Sequence, residues 1–209
     1  RALNQGATLA GALALTEKVR REGLVAPIVL FGYYNPLYVY AAGCVPSHAD
    51  SARGMSALCT RARDAGVDAL LVVDLPVEEM GELSAPARAA GLEIVPLLAP
   101  TSTDARIALV AARRPPFVYY VSMSGVTGAT LPDLSPLGAR IADVRKKTGA
   151  KVGVGFGIAT ADDVKRVAPH ADAVVVGSAL VRRIAENPGH EAQAAAAFVR
   201  ELKAALAAV

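Results

Sequence analysis

Aromatic residues are scarce, only 5 % of the 209, and none interleaves with the arginine pairs Arg20-Arg21, Arg113-Arg114 and Arg182-Arg183. With a net charge of +3 and no basic stripe, the sequence carries no nucleic-acid footprint. Apolar runs are short and broken by glycine, proline or charge, well under the roughly 18 residues of a membrane span. No basic segment followed by an apolar one opens the sequence, so no secretory signal is read there. Two cysteines, Cys44 and Cys59, cannot build a disulfide framework, which suits a reducing compartment and a cytoplasmic protein. Cys44 and His48 have a metal-like spacing, but no second pair exists and His170 and His190 stand alone, so no metal site is expected.

What the chain does have is apolar residues, 53 % of the total, arranged in short β-type runs that alternate with amphipathic stretches. The runs at 27–34, 69–75, 93–99, 117–121, 151–154 and 173–176 read as strands buried on both faces. Helices are expected at 9–22, 55–65, 77–90, 103–112, 137–147 and 161–167, and at the C-terminal 191–208. Thr160-x-x-Asp163 and Thr101-x-x-Asp104 read as capping boxes with Asp in place of Glu. Residues 41–54, small and polar without periodicity, read as a surface loop. No internal repeat beyond the βα unit is evident. Such alternation predicts an α/β fold with a parallel sheet and right-handed crossovers in a single domain over 1–209. Six strands do not close the usual eight-stranded barrel, and a chain that opens on a helix reads as one cut before its first two βα units. An open doubly wound sheet is the alternative.

Three glycine-bearing turns each follow a strand-like run: Ser124-Gly125-Val126-Thr127-Gly128, Gly155-Phe156-Gly157 and Gly177-Ser178. Glycine at a strand's C-terminal end lets backbone N–H groups approach an anion, and a helix N-terminus beyond adds donors and a positive dipole end. In a βα barrel the last strands set such turns side by side, which makes a phosphate pocket. These late turns favour the barrel over the open sheet.

The order of Arg1-Ala2-Leu3 with Gly6, Tyr33-Tyr34-Asn35-Pro36, Asp74-Leu75-Pro76-Val77-Glu78-Glu79, Ser124-Gly125-Val126-Thr127-Gly128, Gly155-Phe156-Gly157-Ile158 and Gly177-Ser178-Ala179 resembles the α subunit of tryptophan synthase. The resemblance covers the chain apart from 41–54. It implies a (β/α)8 TIM barrel, with six of its eight strands visible here, that cleaves indole-3-glycerol phosphate by a retro-aldol step to indole and glyceraldehyde 3-phosphate. It implies no metal or organic cofactor for the α subunit, and a β-subunit partner, carrying pyridoxal phosphate, in an α2β2 complex. The chemistry needs a proton delivered to indole C3 and one removed from the glycerol 3′-hydroxyl. The family's catalytic Glu and Asp would both precede Arg1, so no catalytic residue is assigned within the chain and these residues alone are expected to be inactive.

The resemblance makes Tyr33, Tyr119, Thr127, Gly128, Gly155, Phe156, Gly157, Gly177 and Ser178 substrate-binding residues, and Asp74, Leu75 and Pro76 a partner contact. Tyr119 and Tyr120 alternate on one strand, so one ring is expected at the ligand and the other in packing. Tyr33, Phe31 and Leu71 fit either an apolar indole slot or the core. Two other readings stand beside this one: a neighbouring phosphate-binding barrel such as indole-3-glycerol-phosphate synthase, and a non-catalytic module that holds phosphate ligands or a partner.

Overall fold

A computed structural model describes residues 6–45, 51–121, 135–155 and 157–207. Nine α-helices and seven β-strands alternate among them: α1 (Leu9–Arg21), β1 (Val29–Gly32), α2 (Tyr34–Gly43), α3 (Ser51–Asp64), β2 (Ala69–Val72), α4 (Gly81–Ala89), β3 (Glu93–Ile94) and β4 (Leu97–Leu98) come first. Then follow α5 (Asp104–Ala112), β5 (Phe117–Val121), α6 (Ser135–Thr148), β6 (Lys151–Gly155), α7 (Ala161–Val167), β7 (Ala173–Val175), α8 (Ser178–Ala185) and α9 (Glu191–Leu206). The strands form two sheets, β1-β2-β3 and β4-β5-β6-β7. The pairs β1/β2, β2/β3, β5/β6 and β6/β7 are parallel. The chain divides into two compact units, Arg1–Leu97 and Leu98–Val209, and each is described by itself.

Three differences from the sequence reading have clear physical causes. The strand expected over 93–99 is two short strands, because Pro96, which has no N–H to give a ladder, lies between β3 and β4. The strand expected over 27–34 ends at Gly32, and a helix the sequence reading missed, α2, takes over. Pro36 falls in the first turn of α2, where backbone N–H groups have no intrahelical partner to lose. Consequently 41–54 is not one loop: Ala41–Gly43 complete α2 and Ser51 opens α3. The capping box at Thr160 and Asp163 is present. At α5 the cap is Thr103 rather than Thr101, since Ser102 Oγ accepts the Ala99 N–H in the preceding turn.

In the first unit the core is built by β2, whose four residues are all buried, with Leu13, Leu58, Ala62, Leu83 and Ala87 from the helices. In the second unit Val118 and Tyr120 of β5, Val152 and Val154 of β6, and Ile107, Val110, Ile141 and Val144 are at most 1 % exposed. The edge strands are less covered than their apolar runs suggest. Phe31 on β1 is 58 % exposed and Val175 on β7 is 37 % exposed, each strand having a neighbour on one side only among the described residues.

One device recurs at the foot of both sheets. Asp68, just before β2, gives its N–H to the Ile28 carbonyl (2.9 Å) and accepts the Ile28 N–H on Oδ2 (2.7 Å). Asp172, just before β7, treats Val152 of β6 in the same way, at 2.9 and 2.8 Å. Each carboxylate is also held by an arginine from the helix that precedes the first strand of its pair. Arg20 of α1 binds Asp68 and the carbonyls of Leu24, Ala26 and Gly66. Arg145 of α6 gives Nε and Nη2 to Asp172 (3.0 and 2.9 Å). The matching sequences, Asp68-Ala69-Leu70-Leu71-Val72 and Asp172-Ala173-Val174-Val175-Val176, form a repeat the sequence reading did not find.

Burial opposes ionisation of Asp172, but the Val152 N–H and the Arg145 guanidinium outweigh it and hold the carboxyl below its ordinary 3.8. A lowered carboxyl pKa contributes stability above the unfolded value, lost as pH falls through the folded one. Asp172→Ala is therefore expected to cost about 1.5–3 kcal/mol at pH 7, with the gap to the parent closing below about pH 3.8. Urea unfolding of both chains at pH 7 and pH 3 measures this, and an equal gap at both pH values would contradict it.

Candidate functional site

In the second unit the site grows from the register of three parallel strands. Along β5, Val118 and Tyr120 face the core while Phe117 and Tyr119 lie half-buried on the opposite face, as alternation requires. Both rings lean over glycines of β6. A Cβ on Gly153 would lie 2.2 Å from Phe117 Cζ, and one on Gly155 would lie 2.2 Å from the Tyr119 hydroxyl. Tyr119 thus covers Gly155, the root of the Gly155-Phe156-Gly157 turn. Burial pushes its phenol up, so at neutral pH it is a hydrogen-bond donor rather than a base. Tyr120 is the packing ring, 1 % exposed. Burial raises its phenol, and Arg140 partly offsets that.

Gly155 pairs with Val175 across β6 and β7. The turns that carry Gly157 and Gly177 therefore leave the C-terminal ends of neighbouring parallel strands. Gly157 has φ +76°, a conformation that L side chains rarely adopt. Gly177 is the N-cap of α8 and Ser178 its first residue; a Cβ on Gly177 would meet open space. This helix start has no side-chain cap and no acidic residue in its first turn, which leaves it suited to an anion. Arg182 and Arg183 lie in the last turn of α8, where they complement the dipole, and Arg183 stacks on Phe198 of α9 at 5.4 Å. Thr127, Gly128 and Phe156 lie outside the described residues.

In the first unit the strand ends of β1 and β2 come together. Tyr33 is not on the strand but is the N-cap of α2, extended at φ −104°, ψ 158°, with its ring 60 % exposed. Leu71 is a core residue, 4 % exposed, whereas its register partner Phe31 is open. Asp74 and Pro76 are exposed and Leu75 is buried between them. Asp74 Oδ1 accepts the Tyr34 N–H at 2.7 Å, and Tyr34 Oη donates to Glu82 Oε2 at 3.3 Å. Asp74 and Leu75, with Tyr34, Asn35, Tyr38, Glu79 and Glu82, line a groove of about 650 Å³. The sequence reading gave Tyr34, Tyr38 and Glu82 no part in a site. The i, i+4 spacing of the two tyrosines was the available signal, hidden because Tyr34 read as the end of a strand.

Gly155→Ala is expected to destabilise by about 1–3 kcal/mol, since its Cβ meets the Tyr119 ring. Adding Tyr119→Ala should recover at least about 1 kcal/mol of that loss in a double-mutant cycle. Additive losses in urea unfolding would mean that the two residues do not touch.

Comparison with known proteins follows from this geometry. The family model for the tryptophan synthase alpha chain matches residues 1–207. Among solved structures, the tryptophan synthase alpha chain of Legionella pneumophila is 28 % identical, with TM-score 0.83, over 100 % of this chain and 73 % of that one. A chain of the tryptophan synthase a2b2 complex from Pyrococcus furiosus, described in terms of mutual activation, is 33 % identical, with TM-score 0.80, over 100 % and 77 %. A mutant alpha-subunit from the same organism is 35 % identical, with TM-score 0.78, over 98 % and 77 %. The parallel strands and alternating helices are accordingly those of the α/β, TIM-barrel class, and this chain belongs to the tryptophan synthase alpha chain family.

Proposed function

We propose that the chain holds indole-3-glycerol phosphate for retro-aldol cleavage to indole and glyceraldehyde 3-phosphate, in partnership with a β subunit. The observation that supports this reading is the Gly155–Val175 pairing, because the turns that carry Gly157 and Gly177 leave the same end of these two neighbouring strands. Backbone N–H groups there, with the Ser178 hydroxyl and the α8 dipole, would take the phosphate. Thr127, Gly128 and Phe156 belong to the same proposed site on the strength of the resemblance. Tyr119, laid over Gly155, would donate a hydrogen bond to the reacting end, and Tyr33 would line the indole side. The reaction also needs a general acid and a general base, and neither role is assigned to a residue of this chain.

The β-subunit reading is supported by the Pyrococcus furiosus complex and by the groove beside Asp74, Leu75 and Pro76. An α2β2 assembly is the corresponding stoichiometry. Cys44 and Cys59 are both free thiols, which favours a cytoplasmic location. Among the described residues no helix is long and apolar enough to cross a membrane.

Gly177→Asp would set a carboxylate against the phosphate and is expected to abolish glycerol 3-phosphate binding in calorimetry; unchanged affinity would sink the site. A polypeptide of these 209 residues alone is expected to release no measurable indole from indole-3-glycerol phosphate. One positioned acid–base group is worth about 10²–10⁴ in rate, and positioning by Tyr119 replaces neither. Full turnover by material of that mass would move catalysis onto residues within the chain, Asp74 first.

A further inference from the structure

Tyr120 is the largest fully buried side chain among the described residues, and its phenol oxygen needs a partner in the core. Arg140 of α6 supplies one: the guanidinium donates to the phenol oxygen and, with its charge, partly offsets the upward push of burial. The same guanidinium gives Nη2 to the Ser102 carbonyl, in the turn between β4 and α5. Its Nη1 donates to Asp143 Oδ2 at 3.1 Å and lies 3.8 Å from Asp104 Oδ1. One fork thus joins β5, the turn after β4 and its own helix. That turn is braced in itself. Ser102 is buried, its Oγ accepts the Ala99 N–H and its N–H donates to the Ala99 carbonyl, both at 2.9 Å. Lys147 bonds Asp104 and Asp143, again at 2.9 Å, so two cations share the two acids.

Tyr119 precedes Tyr120 across one rigid peptide, with Cα atoms about 3.8 Å apart and rings on opposite faces of β5. On one face the Tyr119 hydroxyl lies over Gly155, where a Cβ would have no room; on the other, Tyr120 ends on Arg140. Ladder bonds fix the register of β5 against β6, Tyr119 beside Gly153 and Tyr120 beside Val154. They leave the strand's rotation looser, since the twist between neighbours ranges over about 10–35°. A long side chain held at its tip removes that freedom.

We infer that Arg140 is a positioning residue: by holding the Tyr120 phenol and the Ser102 carbonyl, it sets where the Tyr119 hydroxyl meets the glycerol end of the ligand. The inference rests on the reading of Tyr119 as a hydrogen-bond donor to that end. Arg140 itself touches no ligand and acts through β5.

Calorimetry on the 209-residue chain compares indole-3-glycerol phosphate with indole-3-propanol phosphate, which keeps the ring and phosphate and has no glycerol hydroxyl. Tyr119→Phe, which removes the donor, defines the pattern. Affinity for the glycerol compound should fall about five- to tenfold, and that for the propanol compound should stay within about twofold. Arg140→Met and Tyr120→Phe are expected to reproduce this pattern, and Arg140→Met should add nothing to Tyr119→Phe in a double-mutant cycle. Lys147→Met, which removes the other cation on the same two acids, should change neither affinity. Equal losses for both compounds in Arg140→Met, or no loss for either, overturn the proposal, as do losses that add to those of Tyr119→Phe. Should Arg140→Met fail to fold, Tyr120→Phe decides by the same comparison, since it keeps the buried ring and deletes only the oxygen. Should the parent bind neither compound, or Tyr119→Phe treat the two alike, the reading of Tyr119 as a ligand donor fails instead. The placement of the ring is then decided by fluorine resonance of the 3-fluorotyrosine-labelled chain. Among its six tyrosines, the Tyr119 signal is identified by its loss in Tyr119→Phe. That signal is expected to move in Arg140→Met and in Tyr120→Phe but not in Lys147→Met, and a signal unmoved in the first two overturns the proposal.

Discussion

A carboxylate one residue ahead of a strand sets the register of each well-paired part of this fold. Asp68 and Asp172 each close a ring with one residue of the strand alongside, taking its N–H on the side chain and giving their own N–H to its carbonyl. Parallel strands have no hairpin to fix their alignment, and a slip of one residue would turn every side chain to the wrong face. The arginine from the preceding helix adds charge-assisted bonds and ties that helix to the start of the strand. Neither pair is deeply buried, so the value lies less in Coulomb energy than in specifying one alignment.

Everything at the opposite ends of the strands inherits that alignment. With Ile28 locked to Asp68, Gly32 meets Val72, and Tyr34 reaches Asp74 two residues on. With Val152 locked to Asp172, Gly155 meets Val175, the last pair before the turns that carry Gly157 and Gly177. In βα barrels the C-terminal ends of the strands are where active sites lie and the N-terminal ends serve stability, and the ionic ties of this chain lie at the N-terminal ends. A residue at the foot of a strand therefore acts on the site through register, without touching it.

The site end carries costs that the foot offsets. Glycine inside a strand sacrifices packing and chain entropy, yet β6 has Gly153 and Gly155 where the Phe117 and Tyr119 rings need the space of a missing Cβ. The α8 start has no capping side chain, and α2 borrows a cap from the next strand. These are local departures from good helix and strand chemistry, and they gather at the C-terminal ends of the strands.

The apolar runs of β2, β5 and β6, the Thr160 and Asp163 capping box and the glycine turns after β6 and β7 were legible in the sequence. Each is a local signal: continuous burial leaves an unbroken apolar run, a cap needs its partner three residues away, and glycine marks backbone that other residues resist. Alternation is local too, and it put Tyr119 and Tyr120 on opposite faces, while the resemblance named Tyr120 as the packing ring. Helix α2 was not legible. Its start is decided by an acceptor 40 residues away, and Tyr33-Tyr34 carries strand-like side chains until that acceptor is in place. Nor could the sequence say that Tyr34 and Glu82 share a groove, that the Tyr119 hydroxyl lies over Gly155, or that two Asp-Ala segments make the same ring. Those facts depend on which strand lies beside which and at what offset, and that is a property of pairing between distant segments, which only the folded chain possesses.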